Sequence, residues 1–237
     1  MKQMKTRMTT VLLSFMLLIG ISAQADNQTR ELEAFSEINL RINAKLHLAQ
    51  GSKQSVEIVA KGSTLDELVT EVKNRELVIR FKTKNLLWKD FETGKIEIYI
   101  TVPDITALTV SGSGDIYNDG PIESRILNLT LSGSGTIKLD NLLSERLKTM
   151  ISGSGNIEVT GNGTAEDLSI NISGSGGFKG NGFETKDVTV RISGSGNAYI
   201  HCNNSLIARI LGSGNIYYNG NPRIDQSVGG SGQVKAL

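Results

Sequence analysis

His201 and Cys202 adjoin, and a thiol beside an imidazole is a pairing that nucleophilic catalysis uses. The surrounding residues read as a strand, in which neighbouring side chains point to opposite faces, so the two are not expected to meet. The other histidine, His47, stands alone, and no Cys-x-x-Cys or His-Glu-x-x-His spacing suits a metal. Gly-Ser-Gly occurs seven times but matches neither Gly-x-Gly-x-x-Gly nor the phosphate loop with its lysine. Calcium-binding glycine repeats need regular carboxylates. The column after Gly-Ser-Gly here reads Asp115, Thr136, Asn156, Gly177, Asn197, Asn215 and Gln233. Polysaccharide cleavage needs carboxylates beside basic groups on one face. The outward column of Tyr117, Lys138, Glu158, Lys179, Tyr199 and Tyr217 holds a single one. No catalytic residue, cofactor or metal is therefore expected.

Two groups remain as candidate contacts. Tyr199, Tyr217 and Tyr218 lie in the last repeats, and the first two share a column. Exposed tyrosines offer an apolar face and a polar tip to a sugar or protein; stacking between strands is the alternative role. Lys82 to Phe91 is basic and aromatic, with Lys84, Trp88, Lys89 and Phe91. It suits an anionic glycan or another subunit, or a hairpin tip whose aromatics cover an open core.

The elements that hold these residues are set by the repeat. Gly-Ser-Gly begins at Gly112, Gly133, Gly153, Gly174, Gly194, Gly212 and Gly230, spaced 21, 20, 21, 20, 18 and 18 apart. Two residues before the first glycine stand Val110, Leu131, Ile151, Ile172, Ile192, Ile210 and Val228. The positions four and six before it, and four after it, are also largely apolar. Alternation of this kind is a half-buried strand. Each repeat thus carries one strand before the corner and a shorter one after it, the glycines supplying the backbone freedom to turn. A unit of about 20 residues cannot bury its apolar face alone, so like columns must stack into a solenoid. Antiparallel hairpins with Gly-Ser-Gly as the loop are the competing arrangement. They would pair strands within a repeat rather than between repeats.

Residues 26–104 lack the motif yet alternate over Ile38–Ile42, Lys45–Leu48, Val56–Val59, Leu77–Phe81 and Lys95–Ile100. Ser63 to Glu67 reads as one helical turn with Ser63 and Glu67 near a capping arrangement. This region is expected to continue the solenoid of residues 105–237 or to cap it, all within one structural domain. Residues 1–25 have a basic start, an apolar run over Val11–Ile21 and Ala23-Gln24-Ala25. That order is an export signal, cleaved after Ala25 and too short to span a bilayer. No transmembrane segment is expected after cleavage. A net charge of +1 gives no reason to expect nucleic acid. The single cysteine excludes an internal disulfide framework.

The units Ser111-Gly112-Ser113-Gly114-Asp115-Ile116 and Ser152-Gly153-Ser154-Gly155-Asn156-Ile157 resemble the bacterial head-GIN domain family. The preceding order of a strand, a turn near Leu65 and the run Asn74 to Ile79 is similar too. Glu37-Ile38-Asn39 is the nearest match to the Gly-Ile-Asn of the family's name. The resemblance covers Asp26 to Leu237. It implies an all-β, right-handed parallel β-helix and an exported, adhesin-like protein; it brings no site residues. The expected protein is a non-enzymatic envelope or cell-surface solenoid, in the periplasm or outside. It would contact a glycan or an envelope protein, with an oligomer left open. A periplasmic structural or regulatory module and a glycan-active β-helix enzyme are the alternatives.

Overall fold

The computed structural model describes residues 26–82 and 93–237. Residues 1–25, where the export signal is expected, and the segment with Lys84, Trp88, Lys89 and Phe91 lie outside them. The protein is a β-solenoid, and the hairpin alternative falls. The strands before the corners are β8 (Ala107–Gly112), β10 (Ile122–Gly133), β12 (Leu142–Gly153) and β14 (Thr164–Gly174). They continue in the second halves of β15 (Gly177–Gly194) and β16 (Asn197–Gly212), and end in β18 (Arg223–Gly230). Each pairs in parallel with its equivalent one coil away, Gly133 on Gly112, Gly153 on Gly133 and so on to Gly230 on Gly212. The strands after the corners form a second parallel ladder. It runs through β9 (Asp115–Asn118), β11 (Thr136–Asp140), β13 (Asn156–Thr160), the first halves of β15 and β16, β17 (Asn215–Asn219) and β19 (Gln233–Ala236).

Each long strand also bends. Pairing between β10 and β12 skips Arg125 and Glu145, so Ile122–Ser124 and its equivalents make a third paired stretch. The repeat shortens to 18 residues where the register slips between Gly180 and Glu184, at the corner after the second strand.

Like columns fill the interior. Ile116, Ile137, Ile157, Phe178, Ala198 and Ile216 form one continuous buried row. Thr149 replaces an aliphatic residue in a second row, and its buried hydroxyl donates to the carbonyl of Ser169 at 3.4 Å. The corners explain the glycines. The Gly133 carbonyl accepts from the amides of both Ser154 and Gly155 at 3.0 Å, and the same fork recurs down the stack. Gly153 takes φ +124°, and a Cβ there would lie 2.5 Å from the Gly133 oxygen. A Cβ on Gly155 would meet Leu131 Cδ2 at 2.7 Å.

The amino-terminal region breaks the sequential order. The coil of β6 (Glu76–Phe81) and β7 (Glu97–Val102) lies outside that of β2 (Glu37–Leu40) and β3 (Lys45–Gln50). The latter pairs with β8 and β9. Antiparallel strands then cover this end. They are β5 (Leu68–Lys73) on β6, β4 (Ser55–Ala60) on β7, and β1 (Asp26–Thr29) on β4. The helical turn α1 (Gly62–Glu67) begins two residues earlier than a cap at Ser63 suggests. Lys61 is its N-cap, with no side-chain hydrogen bond, and Ser63 lies inside it. At the other end β18 is exposed along its whole length.

Candidate functional site

The outward column that begins the second ladder runs much further than the Gly-Ser-Gly repeats. In spatial order it reads Tyr99, His47, Tyr117, Lys138, Glu158, Lys179, Tyr199, Tyr217 and Lys235. Each of these side chains follows an inward apolar residue by one position, which is why strand alternation turns them all outward. His47 stacks on Tyr99, with ring centroids 4.9 Å apart and planes at 14°, and lies 6.3 Å from the ring of Tyr117. Its Nδ1 lies 3.7 Å from Asp119 Oδ1. In the middle Lys179 Nζ donates to Glu158 Oε1 at 2.6 Å. Lys138 forms no ion pair among the described residues.

The electrostatics at the first end are local. Lys95 lies 2.7 Å from Glu97, and this hydrogen bond and charge hold Glu97 below its ordinary pKa. The Tyr99 hydroxyl donates to Glu97 Oε2 at 3.3 Å. Desolvation, then the Glu97 charge, raises the Tyr99 phenol. Desolvation likewise raises Tyr117, ahead of the neighbouring Asp115 charge.

Tyr199 and Tyr217 are brought together as their shared column requires, centroids 4.8 Å apart and planes at 13°. That spacing is the coil repeat itself. Each ring covers one face of the other, so the pair offers the surface its edges and hydroxyls. Tyr218 is not part of this surface: it stands on Ile200 in an inward column and packs against the core. Cys202 is buried, its thiol 3.1 Å from the Ser205 carbonyl oxygen, and burial pushes its pKa up. His201 turns the other way, with Nε2 3.1 Å from Asn203 Oδ1. The two do not form a nucleophile and base. Among the described residues no three His, Cys, Asp or Glu side chains converge as metal ligands.

Two hollows escaped sequence reasoning. An axial groove of about 720 Å³ crosses the outer face of β12, β14, β15, β16 and β18. Met150 and Leu211 line it, 56% and 69% exposed, with Arg191 and Arg209 between and beside them. Its signal in the sequence is a departure from the repeat. The residue before the corner is serine at 111, 132, 152, 173 and 193, then becomes Leu211. The second hollow, of about 450 Å³, gathers Asp104 and Glu123 with Arg75 and Arg125. Gln50 pins its walls: Nε2 donates to the carbonyls of Pro103 and Glu123 at 3.0 Å, and Oε1 accepts from the Glu123 amide at 2.8 Å. The carboxylates come from adjacent coils, but neither lies in the columns that flank Gly-Ser-Gly.

Stacked parallel coils, a filled interior and a continuous outward ladder define a β-solenoid. Residues 34–222 match the family described as "Putative auto-transporter adhesin, head GIN domain", and the chain belongs to that family. Several solved structures share the fold. A putative adhesin from Bacteroides fragilis is 20% identical with a TM-score of 0.81, and a putative lipid binding protein from Parabacteroides distasonis is 23% identical with a TM-score of 0.75. In both cases 91% of this chain and 98% of the other are covered. A putative adhesin from Parabacteroides distasonis, 21% identical over the same shares, has a TM-score of 0.72. No curated protein matches the chain.

Proposed function

We propose that the protein is an exported, non-enzymatic contact module of the cell envelope or cell surface, adhesin-like in the way its face meets a glycan or envelope protein. The observation that carries this reading is the outward ladder from Tyr99 to Lys235. It is an outward column of tyrosines, lysines, His47 and Glu158 in unbroken parallel register. Such a row meets an extended partner with reduced ordering cost where stacking or an ion pair already holds the side chains, as at Tyr99–His47, Glu158–Lys179 and Tyr199–Tyr217. Membership of the head GIN family and the basic, apolar, small-residue leader support export.

The test is a glycan array and a panel of purified envelope proteins probed with the protein. A triple variant, Lys138→Ala with Tyr199→Ser and Tyr217→Ser, is run beside it. Binding that the variant loses is expected. Absence of binding to the whole panel, or binding indifferent to the ladder, refutes the reading. Protease treatment of intact cells separates the two addresses: cleavage is expected of a surface adhesin, whereas protection assigns the periplasmic role through protein partners.

The hollow of Asp104 and Glu123 favours a second reading, a glycan-active enzyme, because it places two carboxylates beside two guanidinium groups on one face. Release of new reducing ends from acidic polysaccharides, abolished by Asp104→Asn, would establish it.

A further inference from the structure

We propose that the axial groove on the sheet before the corners binds a single-chain amphiphile with a carboxylate headgroup. The headgroup meets Arg191, and the alkyl chain lies along the solenoid between Met150 and Leu211. The groove is on a different sheet from the outward ladder, so this proposal and the proposed function can fail separately.

The shape follows from side-chain size. Position −1 before the corner carries small serines, while position −3 carries Met150, Asn171, Arg191 and Arg209 in register on successive coils. A small column beside a large one leaves a trough parallel to the solenoid axis. From β12 to β18 it crosses four coil steps, roughly 19 Å at the spacing of paired strands. That is a length for an extended chain rather than a compact ligand.

The chemistry follows from what lines it. The lining is predominantly carbon. Leu211 and Met150 are among the most exposed large apolar side chains of the described residues, and each stands where earlier coils carry serine or threonine. Singly exposed apolar residues are ordinary, but two on one groove floor are a surface that water covers poorly. No aromatic side chain lines the groove. A sugar would lack the ring face on which its apolar side usually rests.

The charge identifies the headgroup. Arg191 and Arg209 face each other in adjacent coils. Arg209 is clamped by Asp225, Nη1 to Oδ1 at 3.1 Å and Nη2 to Oδ2 at 2.6 Å. Arg191 has no ion pair or side-chain hydrogen bond among the described residues, and no carboxylate lines the groove. Arg209 is therefore paired and Arg191 is not, and an anion beside Arg191 completes the pairing. The Ser173 and Ser193 hydroxyls, which also line the groove, are donors for its second oxygen.

The test is titration calorimetry of the purified protein with laurate, below the concentration at which laurate aggregates. Dodecyl maltoside serves as the uncharged chain of equal length, and oligogalacturonate as an anion without a chain. One laurate per protein is expected. Arg191→Ala should weaken it roughly ten- to a hundredfold, the loss of a charge-assisted hydrogen bond. Leu211→Ser should weaken it severalfold, and dodecyl maltoside should bind more weakly than laurate. Both positions are exposed, and unchanged circular dichroism shows the variants folded. No laurate binding overturns the proposal, as does binding unchanged in Arg191→Ala. Laurate binding lost in Arg191→Ala but unchanged in Leu211→Ser makes the groove an anion site only and also overturns it. Oligogalacturonate binding tighter than laurate reassigns the groove to an anionic glycan.

Discussion

Replacing Ile157 by Asp tests the facing of every column at once. Ile157 is fully buried, stacked between Ile137 and Phe178 on the neighbouring coils. Removing its side chain forfeits about 1.5–3 kcal/mol of apolar burial. The carboxyl that replaces it has no polar partner in this row. Holding it there, neutral or charged, costs about 1–3 kcal/mol more by the measure of unsatisfied groups in protein interiors. The sum, roughly 3–6 kcal/mol, is a large part of what a domain has to spare. Glu158 is the next residue and faces out. Its bond to Lys179 joins side chains 23% and 53% exposed. Glu158→Ala should cost about 0–1 kcal/mol, the usual range for surface ion pairs. Urea unfolding followed by circular dichroism measures both. Ile157→Asp should either fail to fold or move the midpoint far down, while Glu158→Ala stays near the parent. Equal effects would mean that the columns face the other way, and the assignment of the ladder as surface would fall with it.

Gly155→Ala should destabilise by about 1–3 kcal/mol, because the new Cβ meets Leu131 and the Gly135 carbonyl of the previous coil, as overpacking does elsewhere. Ser154→Ala, between the two glycines, should stay within about 0.5 kcal/mol, and thermal melts compare the two. Tyr217→Ala should lose about 0.5–1.5 kcal/mol of ring stacking beyond its burial; a double-mutant cycle with Tyr199→Ala that returns no coupling would refute the stack. Cys202 should resist an aromatic disulfide reagent in the native protein and react at once in denaturant, since burial both shields the thiol and raises its pKa. Glu97 is held below its ordinary value of 4.5, so the stability it lends is present above that pH and lost as pH falls through the lower, folded value. Glu97→Gln should therefore flatten the loss of melting temperature between about pH 6 and about pH 3. An unchanged slope would show that the Lys95 contact does not persist in solution.

The repeat was legible because a solenoid places each residue on its own equivalent. Ile116, Ile137 and Ile157 are adjacent in space for the same reason that they align in sequence. The corner was legible too, since a carbonyl of the previous coil pressed against the backbone admits only glycine, at Gly153, where φ is also positive, and at Gly155. The facing of Tyr199 and Tyr217 followed from simple alternation. What the columns could not convey was any pairing that departs from chain order. The β6–β7 coil lies outside the β2–β3 coil, and that exchange brings Tyr99 and His47 into the ladder with Tyr117. No period relates those three residues. The gathering of Asp104 with Glu123 and the groove beside Arg191 lie between coils in chain order, but they depend on which side chains in neighbouring columns leave a hollow. The inward turn of Tyr218, by contrast, follows from the same alternation that turns Tyr217 out. The sequence alone determined the stack and which side of each strand meets water, because those depend on local alternation repeated in phase. Only the tertiary structure decided which surface residues meet one another. That depends on the order of coils in space and on the relative sizes of side chains in neighbouring columns.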